Sequence, residues 1–203
     1  MRIATTTPPI VKNLIIANCI IFLATFLLPS VNHFMAQYGQ LFWVESPYFH
    51  FYQFFTYMFL HSSFGHLFFN MFALWMFGRR LEYELGSRRF LTYYLVCGVG
   101  AALFQMAVAW AAGETYFTMV GASGAVMGLL MAFGVMHPNE MVFIIPIPFP
   151  IKAKWFVTIY ILLELFQGWS GISSGIAHFA HVGGMLWGWA LLYHWKNKRI
   201  IFF

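Results

Sequence analysis

The basic residues of this chain fall into four groups, and two long apolar runs separate each group from the next. The groups are Arg2 with Lys12; Arg79, Arg80, Arg88 and Arg89; Lys152 with Lys154; and Lys196, Lys198 and Arg199. The apolar runs lie at about 10–29, 55–78, 90–112, 119–136, 154–169 and 177–195. The intervening loops, about 30–54, 113–118 and 170–176, contain no Lys or Arg. Lys and Arg collect on the cytoplasmic side of a bilayer, so the pattern predicts six spans with both termini and every basic group in the cytoplasm. A single miscounted span would scatter the charges onto both sides.

Composition gives the reason for reading the runs as spans. Of 203 residues, 61% are hydrophobic, 21% aromatic and 8% charged, whereas soluble domains carry roughly 25% charged residues. So few charges cannot cover a water-facing surface, and lipid is the solvent in which such a chain is stable. Six spans of ~20 residues use more than half of the length, which predicts one domain over 1–203. The formal charge of +5 resides in the loop clusters, so the expected partner is the lipid bilayer and no nucleic acid. Cys19 and Cys97 lie in apolar runs and read as packing residues. No cleavable signal is expected, because the first run ends in Leu28-Pro29 without a small-residue pattern and further spans follow.

Two segments depart from a plain helical bundle. Residues 30–50 hold Phe34, Tyr38, Phe42, Trp43, Tyr48 and Phe49, an aromatic density that suits a first outer loop lying in the membrane interface. Residues 141–151 contain Pro146, Pro148 and Pro150, a spacing that no helix continues and a length that cannot span, so an extended interfacial connector is expected.

Gly121, Gly124 and Gly128 recur at helical spacing in the fourth span, as do Gly184 and Gly188 in the sixth. Small residues at i and i+4 let helix backbones approach closely, which predicts contact between these two spans.

Polar side chains within spans are costly and are therefore functional candidates. Here they are His66 and Asn70 in the second span, Ser123 in the fourth, Glu164 in the fifth, and His178 and His181 in the sixth. The topology puts Ser123 about four residues below the outer end of its span, or ~6 Å. His181, His66 and Asn70 come to a similar depth from two other spans. Around Ser123 the sequence Gly121-Ala122-Ser123-Gly124-Ala125 exposes the hydroxyl and leaves backbone N–H groups free to face an anion. A serine hydroxyl needs a base, and imidazole is the usual one. His181 is favoured because its span carries the glycines that would dock beside Ser123. The Asn70 amide, the His66 imidazole and the Ser123 N–H are candidate donors to an oxyanion.

These residues resemble the rhomboid family of intramembrane serine proteases. The matching pieces are His61, then His66-Leu67-Phe68-Phe69-Asn70, Gly78-Arg79-Arg80-Leu81-Glu82 with Gly86-Ser87, Gly121-Ala122-Ser123-Gly124, and Ala180-His181-Val182-Gly183-Gly184 with Gly188. The resemblance implies an all-α six-transmembrane-helix bundle with Ser123 as nucleophile and His181 as base. It also implies an oxyanion hole of His66, Asn70 and the Ser123 amide, and substrates that are themselves transmembrane helices cut near the outer face. No metal or cofactor is implied, and a bacterial plasma membrane suits the charge pattern.

The chain departs from the family pattern twice. Phe51-Tyr52-Gln53 stands where many relatives carry a Trp-Arg pair, and Met127 stands where an aromatic residue often stacks on the histidine. The fifth span, with Trp155 and Trp169 near its ends, is by resemblance alone a lateral gate. Glu164 could orient a histidine as a third catalytic member, whereas the resemblance implies a two-residue site; His178 reads as a hydrogen-bonding residue at its lip. Glu82 and Glu84 are expected in loop ion pairs. A metal or haem site at His178-x-x-His181 with His61 and His66 would leave Gly121–Gly124 unexplained.

Overall fold

The computed structural model describes residues 6–114, 116–143, 149–170 and 177–201. Helix α1 (Pro9–Leu27) starts behind Pro8 with proline at its first position, where a missing N–H costs nothing. The free N–H groups of Ile10 and Val11 donate to the two carboxylate oxygens of Glu82 at 3.0 and 2.8 Å. Ser87 Oγ adds a bond to the same carboxylate at 2.6 Å. Glu82 is thus a buried cap for α1, not the loop ion pair expected of it. Glu84 does form ion pairs, with Arg80 at 2.9 Å and with His137 at 2.8 Å.

Helix α2 (Pro29–Tyr38) buries none of its side chains and leads into strand β1 (Leu41–Phe42). Gln53, the first residue of the short helix α3 (Gln53–Thr56), is fully buried and organises the loop that follows β1. Its Oε1 accepts from Phe42 N at 3.4 Å and His50 N at 3.2 Å, while Nε2 donates to the Tyr38 and Tyr48 carbonyls at 3.3 and 2.8 Å. One side chain from the Phe51-Tyr52-Gln53 segment therefore holds four backbone groups of the segment from Tyr38 to His50.

The second apolar run is not one helix from 55. A 3₁₀ turn (Tyr57–Phe59) ends at extended Leu60, and helix α4 (Phe64–Ala73) begins only after Ser63. The Ser63 side chain accepts from His66 N at 3.1 Å, capping the helix. A π-helical turn (Leu74–Gly78) joins α4 to α5 (Arg79–Leu85). The helical path thus runs seven residues past the expected end at 78, until Gly86 turns it with φ 79°.

Helix α6 (Ser87–Ala111) is followed by strand β2 (Thr118–Met119), α7 (Ser123–Met136), β3 (Met141–Val142), β4 (Ile151–Lys152), α8 (Ala153–Trp169) and α9 (His178–Asn197). Strands β1 and β2 pair antiparallel, Leu41 opposite Met119, as do β3 and β4, Met141 opposite Lys152. The expected connector at 141–151 is therefore extended at both described ends and doubles back; Pro146 and Pro148 lie outside the described residues. Helices α6, α7 and α9 pack on one another and form the core. Of the seventeen residues of α8, only Ala153, Val157 and Glu164 are buried.

Contacts gather the basic groups at one end of the bundle. The start of α1, beside Lys12, meets Glu82; Arg80 bonds Glu140 across to the α7–α8 connection; and the Lys154 N–H donates to the Pro138 carbonyl. Trp195, next to Lys196, meets Tyr93 with ring centroids 6.2 Å apart. The β1–β2 pairing marks the other end. Helices α1 and α6 are each long and apolar enough to cross a membrane, and α7 is apolar but has 14 residues.

Candidate active site

The approach to Ser123 is extended, not helical. Strand β2 is held by β1, and the Gly121 N–H donates to the Tyr57 carbonyl at 2.9 Å. Gly121 has φ 121°, a conformation that glycine alone adopts readily. A Cβ there would lie 2.6 Å from His66 Nε2. Gly121 therefore does not belong to the helical stripe expected of it; its role is to let the backbone pass against the His66 ring. Helix α7 starts at Ser123 itself, so the serine sits in the first turn, and not one turn down a helix beginning at 119. Its backbone N–H is among the donors that a helix start leaves without an intrahelical acceptor.

The other four glycines bring helices together. A Cβ on Gly184 would lie 1.9 Å from the Gly124 carbonyl oxygen, and one on Gly128 would lie 2.3 Å from Cys97 Sγ. One on Gly188 would meet the Tyr93 hydroxyl at 2.3 Å, and one on Gly124 the Ala101 methyl at 2.4 Å. The backbones of α7 and α9 thus touch one residue from Ser123 and three residues from His181.

That contact places His181 Nε2 2.8 Å from Ser123 Oγ. On its other side, His181 Nδ1 lies 3.0 Å from Glu164 Oε1. The second carboxylate oxygen, Oε2, lies 2.7 Å from His178 Nδ1. Glu164, His178 and His181 are all buried. Both histidines therefore turn Nδ1 onto one carboxylate rather than toward a shared centre.

Across the same cavity, Asn70 Nδ2 donates to the His66 carbonyl at 2.8 Å, which leaves its second N–H for another acceptor. Ser62 Oγ lies 3.1 Å from His66 Nδ1. His61 lies edge-on to His66, ring centroids 4.9 Å apart. Met127, one turn beyond Ser123, lines the cavity. Gln105 of α6 holds the start of α9 by accepting from the Ala180 N–H at 3.1 Å. The cavity has a volume of about 1380 Å³ and is lined by Ser123, His181, His66, Asn70, Gln105 and Tyr160, among others.

Sequence reading had no part for Gln105 or for the loop-holding Gln53. An amide within an apolar run was the available signal in both cases. It gave Glu164 only a minor reading as a third member, whereas the carboxylate bonds both histidines.

The rhomboid domain model matches residues 48–197, well over half of the chain. The chain is 33% identical over 144 residues to rhomboid protease AarA of Providencia stuartii, covering 64% of this chain and 51% of that protein. It is 30% identical over 147 residues to the mitochondrial rhomboid protein 1 of Saccharomyces cerevisiae, covering 70% of this chain and 41% of that one. With the human mitochondrial presenilin-associated rhomboid-like protein it shares 33% identity over 150 residues, 70% of this chain and 38% of the relative. The chain thus spans about half or less of the length of these relatives. With the domain match spanning α3 to α9, the chain belongs to the rhomboid family.

Proposed function

We propose that this chain is an intramembrane serine endopeptidase that cuts transmembrane-helix substrates near the outer face of the membrane through an acyl-enzyme. The observation that carries the reading is the 2.8 Å approach of Ser123 Oγ to His181 Nε2 inside a cavity that brings polar side chains together among apolar helices. In this reading His181 Nε2 takes the hydroxyl proton as Ser123 Oγ attacks the scissile carbonyl carbon. The oxyanion receives hydrogen bonds from the Ser123 N–H, the free N–H of Asn70 and His66. His181 then gives its proton to the leaving amine, which departs with the C-terminal product. Water hydrolyses the remaining ester with His181 again as base. No step requires a metal or a cofactor.

A peptide bond must leave its helix to reach Ser123, which favours substrates whose helices unwind at small residues. Helix α8 buries few residues and exposes Trp155 and Trp169 near its ends, in keeping with a role as the side through which a substrate helix enters. The basic groups at one end of the bundle support six spans with both termini in the cytoplasm of a bacterial cell and with the outer loop in the interface. The mitochondrial relatives make an organelle membrane the alternative location.

The test is cleavage of a transmembrane model substrate by the purified protein in detergent, beside Ser123→Ala and His181→Ala. Cleavage by wild type with both variants silent supports the reading. Equal cleavage by all three, or a folded wild type inert across several substrates, contradicts it.

A further inference from the structure

We propose that Glu164 is the positioning residue that sets His181 as a base, so that the site works as Ser123–His181–Glu164 with His178 clamping the far carboxylate oxygen. The inference rests on the protease reading above and extends it to a residue on another helix.

With Glu164 ionised, the distances give one assignment of protons. An ionised carboxylate can only accept hydrogen bonds, so Nδ1 of His181 must carry the proton that bonds Oε1 at 3.0 Å. With its proton on Nδ1, a neutral imidazole presents a lone pair at Nε2. That lone pair is what the Ser123 hydroxyl needs at 2.8 Å. Among the described residues Glu164 is the group bonded to His181 Nδ1 and so the one that fixes this tautomer; the form protonated at Nε2 cannot take the serine proton. The same logic applies to His178, whose Nδ1–H bonds Oε2 at 2.7 Å. The carboxylate is therefore gripped at both oxygens and cannot rotate away from His181.

Charge favours the same role. As Ser123 attacks, His181 becomes an imidazolium in a buried site, where a neighbouring negative charge is strongly stabilising. Glu164 lies against the ring nitrogen that already bears a proton, so it stabilises that cation without having to accept the proton itself.

Glu164 rides on α8, while both of its histidine partners ride on α9. The base is thus set correctly only while α8 is packed against α9. A plain structural tether between the two helices would explain the hydrogen bonds equally well, and the experiment has to separate the two roles.

Glu164→Gln keeps the shape and an accepting oxygen while removing the charge. The expected result is a fall in kcat on the order of 10²–10⁴, with KM and the detergent melting temperature within error of wild type. Glu164→Asp, which restores the charge one methylene short, is expected to recover part of kcat. A tether would lower the melting temperature and raise KM, leaving kcat largely intact in the folded fraction. Glu164→Gln with wild-type kcat overturns the inference while the protease reading stands, provided Ser123→Ala is silent. A wild type that neither cuts nor labels at Ser123 overturns both.

Should Glu164→Gln fail to fold, ¹⁵N NMR of histidine-labelled wild type at neutral pH reads the tautomer directly. His181 protonated at Nδ1 and bare at Nε2 is expected; the opposite tautomer overturns the inference.

Discussion

A Cβ on Gly184 would lie 1.9 Å from the carbonyl oxygen of Gly124, the residue after Ser123. The distance between serine and histidine is therefore governed by two backbones in contact, with no side chain between them to adjust. Gly184→Ala is expected to push α9 off α7, costing ~1–3 kcal/mol of stability and abolishing most cleavage. Gly65→Ala is the stability control, because a methyl there meets nothing within 4 Å. Thermal unfolding in detergent, read beside substrate cleavage, checks both.

Asn70 keeps one amide N–H on the His66 carbonyl and has the other to offer. If that second donor serves the oxyanion, Asn70→Ala lowers kcat by ~10²–10³ with little change in KM. Steady-state kinetics on a model substrate decides. A change in KM alone would assign Asn70 to substrate binding instead.

Gly121 combines a left-handed φ of 121° with the His66 ring where a Cβ would be. Gly121→Ala is therefore expected to shift the residues leading to Ser123 and to displace His66, with a larger loss in kcat than in melting temperature. An alanine variant with full activity would show that the approach to Ser123 tolerates a different path.

Glu82 serves the fold at the end of the bundle away from Ser123. Removing its carboxylate orphans the N–H groups of Ile10 and Val11 and leaves the Ser87 hydroxyl without its acceptor. Glu82→Ala should cost roughly 1–3 kcal/mol with unchanged kcat in the folded protein. Denaturation curves and kinetics on one preparation separate the two effects.

Gln53 is the matching anchor of the loop between Tyr38 and His50. Gln53→Ala removes four bonds to the backbone between Tyr38 and His50, so amide exchange should accelerate there before it does in α6 or α7. Hydrogen-exchange mass spectrometry checks the order.

Much of this was legible in the sequence because bilayer physics writes it in simple patterns. Charges cannot sit in hydrocarbon, so the Lys and Arg groups gave the ends of the bundle. Polar side chains within apolar runs pointed to Ser123, His181, His66 and Asn70. Local geometry was harder to read. Gly121 looked helical because small residues at spacings of three and four fit a helix, while its φ depends on the neighbouring His66 and Tyr57. Strands β1 and β2 have two residues each, too few for an alternation to register. The helix through α4 and α5 outran its apolar pattern because Arg79 and Arg80 are good helix formers despite their charge. Depth along a span could be estimated for Glu164, but the direction its side chain faces could not. Its bonds to His178 and His181 therefore emerged only with the fold.

The most direct test of the central claim is labelling of the purified protein with a fluorophosphonate probe, followed by mass spectrometry of the adduct. The account predicts a single covalent adduct on Ser123, absent from Ser123→Ala and formed far more slowly in His181→Ala. Folded wild type that takes up no label, or label that persists undiminished in Ser123→Ala, would contradict it.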